Sequence, residues 1–191
     1  MKHEKEYLML RNEIIWRLKV VDTLGTFTYT IFISILGVAI STNIIELFLL
    51  PFIVVVPISL KVANHKYGVA YVAGYLNEFL EDLTDENCFK WEKFHVKYYN
   101  ENPRELKEKI IYYGSNAEYL LICVLTSILF WIKYLSGHET YLTVVQVFGY
   151  SFIQLASMFL VTYATINYSS FQKFKPSILL KWKKVNLNSK T

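Results

Sequence analysis

The stretch TLGTFTYTIFISILGVAISTNIIELFLLPFIVVVPISL, residues 23 to 60, carries a single charged residue, Glu46. It is too long for one crossing of a bilayer and long enough for two, since a hydrocarbon core of about 30 Å takes roughly 17 to 20 apolar residues per helix. Ser41, Thr42 and Asn43 form a polar step near its middle, and Glu46 follows. The step predicts two spans, at 24–40 and 44–60, joined by a tight turn. An integral membrane protein follows, because apolar runs of this length and so free of charge need lipid around them.

Upstream, residues 4 to 22 read as a helix that runs directly into the first span. Tyr7, Leu10, Ile14, Leu18 and Val21 recur three and four residues apart as a heptad-like seam, with charged residues on the other faces. No Gly or Pro interrupts the run before Gly25, so one continuous helix over 4–40 is expected. Downstream of Leu60 the chain turns polar but keeps a helical pattern, and Val69, Val72, Leu76, Phe79 and Leu83 form a second seam. A tight turn between the spans places the two seams side by side and antiparallel, as a two-helix stalk outside the bilayer. In the second span, Pro51 and Pro57 each remove a backbone donor and mark candidate kinks.

A second hairpin follows. Its spans are expected at 117–134 and 141–163, joined by the short turn SGHET at 136–140. Trp131 and Tyr134 suit an aromatic belt, and Gly114-Ser115-Asn116 suits a bend before the span. The last span holds Gln146, Ser151 and Gln154, whose spacing lets much of the polarity share one face that looks at protein or water rather than lipid. The fold class is therefore all-α, with four transmembrane helices in two hairpins and a helical cytosolic stalk. Residues 1–114 make the first hairpin with its extensions, and residues 115–191 make the second with a basic tail.

Lys and Arg placement orients the chain. The segments 1–22, 61–118 and 164–191 hold five, eight and six of them, and the turns at 41–46 and 136–140 hold none. The positive-inside rule then puts both termini and the middle segment in the cytoplasm, as for a multi-pass protein of a cell inner membrane. The charged N-terminus, with no small-residue cleavage site after its first apolar run, is not a signal peptide. The tail FQKFKPSILLKWKKVNLNSKT mixes apolar residues with Lys181, Trp182, Lys183 and Lys184, and reads as an anchor on anionic lipid rather than a nucleic-acid arm.

Chemistry is sparse. Phosphate-loop, dinucleotide, zinc-protease, redox-cysteine and serine-hydrolase motifs are all missing, and the four His are scattered without ligand spacing. No enzyme, cofactor or metal is expected. The acidic run EFLEDLTDEN, 78–87, lacks the spacing of a calcium loop and reads as a solvated turn. Residues 88–101, CFKWEKFHVKYYNE, offer Trp91 and Phe94 for docking a cytosolic partner. Cys88 and Cys123 imply no disulfide framework.

Three stretches occur together: EYLMLRNEI at 6–14, YVAGYLNEFLED at 71–82 and KWEK at 90–93. This layout resembles small uncharacterised bacterial multi-pass membrane proteins and, more distantly, the SLATT-type two-span effectors of bacterial conflict systems. The resemblance covers roughly residues 6–95 and rests on Tyr7, Arg11, Glu13, Tyr71, Tyr75, Glu78, Glu81, Trp91 and Glu92. It implies a homo-oligomer that perforates the inner membrane on a cytosolic signal, although a second hairpin departs from the two-span pattern. On the residues alone, Arg11 and Glu13 are placed to pair with Glu78, Glu81 or Tyr hydroxyls across the stalk. Two functions stay open: a permeability effector, or a non-conducting anchor that docks a soluble partner.

Overall fold

The computed structural model describes residues 2–42, 44–80, 97, 106–136, 144–168 and 171–188. Among these residues the chain is helical and has no strand. Helix α1 runs Lys2–Ser41 without a break, as its lack of Pro and its regular apolar spacing dictate. It ends at the polar step, where the Ser41 hydroxyl and the Thr42 N–H both donate to the Val38 carbonyl, each at 3.0 Å. A 3-10 turn, Ile45–Leu49, leads into α2, Leu50–Tyr75, whose helix widens into a π turn at Leu76–Leu80. Then come α3, Leu106–Ser136, α4, Val144–Tyr168, and α5, Phe171–Asn188.

Four helical stretches are long and apolar enough to cross a membrane: Glu4–Ser41, Ile45–Phe79, Ala117–Ser136 and Val144–Ile166. The first two are far longer than one crossing needs, and their polar ends, before Thr23 and after Leu60, extend beyond the charge-free run. Hydroxyl groups in the first are met within their own helix. Thr26, Thr28, Thr30 and Ser34 each donate to the carbonyl four residues back, at 2.7–3.1 Å. Such back-bonding lets small polar residues sit in lipid without an unsatisfied donor.

One sequence expectation changes here. Gly114-Ser115-Asn116 lies inside the unbroken α3, with helix on both sides, because isolated small residues cost propensity without ending a helix. Pro51 is the second residue of α2, where the chain passes from the 3-10 turn Ile45–Leu49 into α-helix. Pro57 does lie in the helix interior and its ring is exposed.

The chain forms two compact units, cut across the hairpins rather than between them. The first comprises Met1–Val21, Asn64–Tyr113 and Tyr168–Thr191; the second comprises Asp22–Ala63 and Gly114–Asn167. The second unit has a core of Ala39, Ile45, Phe48 and Phe130, with Trp131, Tyr134 and Tyr150 packed on it. Phe130 is fully buried, edge-on to Trp131 at 5.2 Å and to Tyr150 at 5.7 Å. Two carboxylates in this unit accept tyrosine hydroxyls. Tyr29 donates to Glu118 at 2.6 Å, and Tyr150 donates to Glu46 at 3.3 Å. On α4, Phe148, Phe152, Leu155 and Phe159 are all two-thirds exposed or more and follow one another at helical spacing. An apolar face this open belongs against lipid or another protein.

Candidate functional site

The first unit holds the site. Its core is Tyr7 of α1 with Val72 and Leu76, and Leu10, Ile14 and Tyr75 pack against them. The two seams that the sequence predicts meet here through Val72 and Leu76, with one register correction, and Leu83 lies outside the described residues. Leu18 is 46% exposed, and Arg17 faces the partner helix instead. The heptad that starts at Tyr7 steps through Leu10 and Ile14 to Arg17 and then Val21, so geometry places the cation where hydrophobicity alone selects the leucine.

Gly68 on α2 makes room for that cation. A Cβ there would come within 2.7 Å of Arg17 Cζ. Arg17 is held from its own helix, with Nε and Nη2 donating to Glu13 Oε1 at 2.9 and 2.7 Å. Glu13 thus pairs within α1 rather than across the stalk. The carboxylate–tyrosine pair that does cross is Tyr75 donating to Glu6 at 3.1 Å. Arg11 is exposed, Glu78 lies in the π turn, and Glu81 lies outside the described residues.

Burial first, and the Glu6 carboxylate second, hold the Tyr75 hydroxyl above its ordinary value of 10.0. The phenol stays a donor throughout the neutral range. Tyr75→Phe is expected to cost about 0.5–1.5 kcal/mol at neutral pH. Because the folded-state value is raised, this contribution is complete below the ordinary tyrosine value and is lost as pH rises through the higher one. Denaturant titrations of both forms should therefore give a difference that is flat from about pH 6 to 9 and shrinks above about 10. A difference that grows in alkali would contradict the contact.

Helix α5 closes the other side. Trp182 donates from Nε1 to the Tyr71 carbonyl at 3.2 Å and meets the rings of Tyr71, Tyr75 and Phe79 at 4.8, 5.2 and 5.7 Å. Ile178 beside it is buried, and both residues pass over Gly74, where a Cβ would stand 2.9 Å from Ile178 Cγ2. Trp182, expected on the lipid surface, is therefore packed on α2, while Lys181, Lys183 and Lys184 are exposed. Indole and lysines share a short helix but not a face.

Between these helices lies a cleft of about 570 Å³. The Glu13–Arg17 pair, Asn64 and Tyr67 line one part of it, and Tyr71, Tyr75 and Trp182 line another. Arg17, Asn64, Tyr67 and Gly68 are not among the residues singled out by the sequence. The legible signal for them is an arginine at a seam position opposite a glycine.

In the second unit the expected polar face of α4 separates into two. Gln154 is buried, and its Oε1 accepts from Trp131 Nε1 at 3.1 Å. Its Nε2 is buried with no hydrogen-bond partner among the described residues. Trp131 is thus tied to α4 by its indole N–H. Ser151 is half-buried and donates to the Val147 carbonyl at 2.8 Å. Gln146 is exposed, because eight residues carry it about 80° round the helix from Gln154. Cys123 is buried and free. Among the described residues no group of three His, Cys, Asp or Glu is placed to hold a metal. Trp91 and Phe94 lie outside the described residues.

No protein-family model, no curated protein and no solved structure matches this chain.

Proposed function

We propose that this chain is a bacterial inner-membrane protein that assembles with copies of itself and alters membrane permeability in response to a signal received by its first, extramembrane unit. The observation that carries the reading is Gln154, a buried amide in an apolar helix with a donor left over. An unmet donor in a span is costly, so such groups are found at water-filled paths or at contacts with another polar helix. The exposed apolar face of α4 gives lipid or a second copy a surface to cover.

Topology supports the same reading. Glu6 meets Tyr75 and Tyr71 meets Trp182, so three segments with two candidate spans between each share one side of the bilayer. The Lys and Arg bias favours the cytoplasm as that side. The cleft is lined by α1 and α2, together with Trp182 of α5, so a ligand there would bear on two helices that also supply candidate spans.

Ionic leak from liposomes carrying the full chain tests the reading, together with labelling of Gln154→Cys by a membrane-impermeant thiol reagent in a form lacking the native cysteines. Leak that falls on the order of tenfold in Gln154→Leu, with the thiol of Gln154→Cys labelled and that of Phe152→Cys unlabelled, is expected of a polar residue lining a path. Tight liposomes, together with no labelling of Gln154→Cys, would overturn it and leave a non-conducting anchor.

A further inference from the structure

In the second unit the unmet amide of Gln154 has a counterpart on the facing helix. Ser127 Oγ of α3 is also buried with no hydrogen-bond partner among the described residues. The Ser127 and Gln154 side chains are 8% and 4% exposed. The bond from Trp131 Nε1 fixes which end of the amide is left over, since an indole only donates and must meet the oxygen. The same bond sets the height of α3 against α4. The segment 137–143 is too short to return along either helix, so the two run antiparallel. Ser127 lies four residues from Trp131, about 6 Å, and the buried Ser157 lies three from Gln154, about 4.5 Å, both away from the end that holds Ser136 and Val144. Ser127, Gln154 and Ser157 thus stand within about one turn of height of one another.

Phe130 closes this polar interior at one end. Its ring has no exposed surface and meets Tyr150, one turn from Gln154 toward Val144. Ala39 and Phe48 share its core, and the buried hydroxyls of Thr28 and Ser59 lie eleven residues from them, about 16 Å, on the same side of Phe130 as Ser127. Neither lipid nor a second copy reaches these groups, because the side chains that α4 turns outward over this stretch are Phe148, Phe152, Leu155 and Phe159. Only a molecule small enough to enter the bundle answers them, and water is what ordinarily meets buried polar groups. We propose that the permeation path lies inside each copy, as a line of water between α3 and α4 held by Ser127, Gln154 and Ser157, with the Phe130 ring as its barrier. The proposal rests on the permeability reading above and says where that permeability resides. Assembly then sets complete paths side by side and does not build one between copies.

Ionic leak from liposomes carrying the full chain reads it out, with wild-type protein and Gln154→Leu mixed in micelles in rising proportion before reconstitution. Leak should fall in direct proportion to the share of variant, because each copy conducts alone, whereas a path shared by several copies loses it far more steeply. Ser127→Ala alone should lower leak on the order of tenfold, the scale of one lost hydrogen bond. Phe130→Leu should raise it several-fold by shortening the barrier, and Phe152→Leu on the exposed face should leave it unchanged. Unaltered helix content at the temperature of the assay would show that each variant is folded. A steeper than proportional fall on mixing, or folded Ser127→Ala and Phe130→Leu forms that leak like wild type, would overturn the proposal and leave the permeability reading standing. Liposomes that stay tight with wild-type protein and with Phe130→Leu would overturn both.

Discussion

Phe130→Ala is expected to destabilise the second unit by about 3–5 kcal/mol, the range for emptying a fully packed aromatic site. Within a bilayer an apolar side chain gains little by leaving lipid for protein, so close packing and internal hydrogen bonds hold the helices together. Phe130 is where both converge. Its side chain has no exposed surface, its ring meets Trp131 and Tyr150 edge-on, and Trp131 in turn bonds Gln154. Removing the ring opens a void beside that bond. Phe152→Ala is the matched control. Its ring is 73% exposed, and the change should stay within about 0.5 kcal/mol. Reversible unfolding in mixed micelles measures both. Equal effects would mean that Phe130 is not part of a close-packed core.

Gly74→Leu should release α5. Ala at this position already sets two opposing effects against each other: about 1 kcal/mol of helix propensity gained, and a Cβ pressed on Ile178 and Trp182. Leucine adds three carbons for which there is no space. The helix must lift, giving up the indole hydrogen bond and three ring contacts. A loss of about 3 kcal/mol would raise the open population, and with it tryptic cleavage at Lys181, Lys183 or Lys184, on the order of 100-fold. An unchanged cleavage rate would show that α5 is not held by this face of α2.

The four long apolar helices are legible in the sequence because apolar residues run on over that length with hardly a charge, and the continuous α1 follows from the absence of any residue that could end it. Side-chain register is less legible. Leu18 and Arg17 differ by one position, and the glycine that favours the arginine is 51 residues away in sequence, on another helix. The lysine neighbours of Trp182 point it toward the lipid surface, whereas its place on α2 depends on Gly74, over one hundred residues earlier. Gln146 and Gln154 look alike in a composition count and are separated only by the helical period. Local pattern gives elements and faces, while the cleft arises from non-local complementarity between small residues on α2 and large ones on α1 and α5.

The first unit is assembled from three segments with a pair of spans between each. During synthesis it cannot close until the last helix has emerged, after both hairpins have entered the bilayer. A hairpin that left one of its two spans behind would strand the Trp182 indole across the bilayer from the Gly74 notch. Docking of α5 thus depends on the parity of the crossings that precede it: an odd number leaves the indole and its notch on opposite sides.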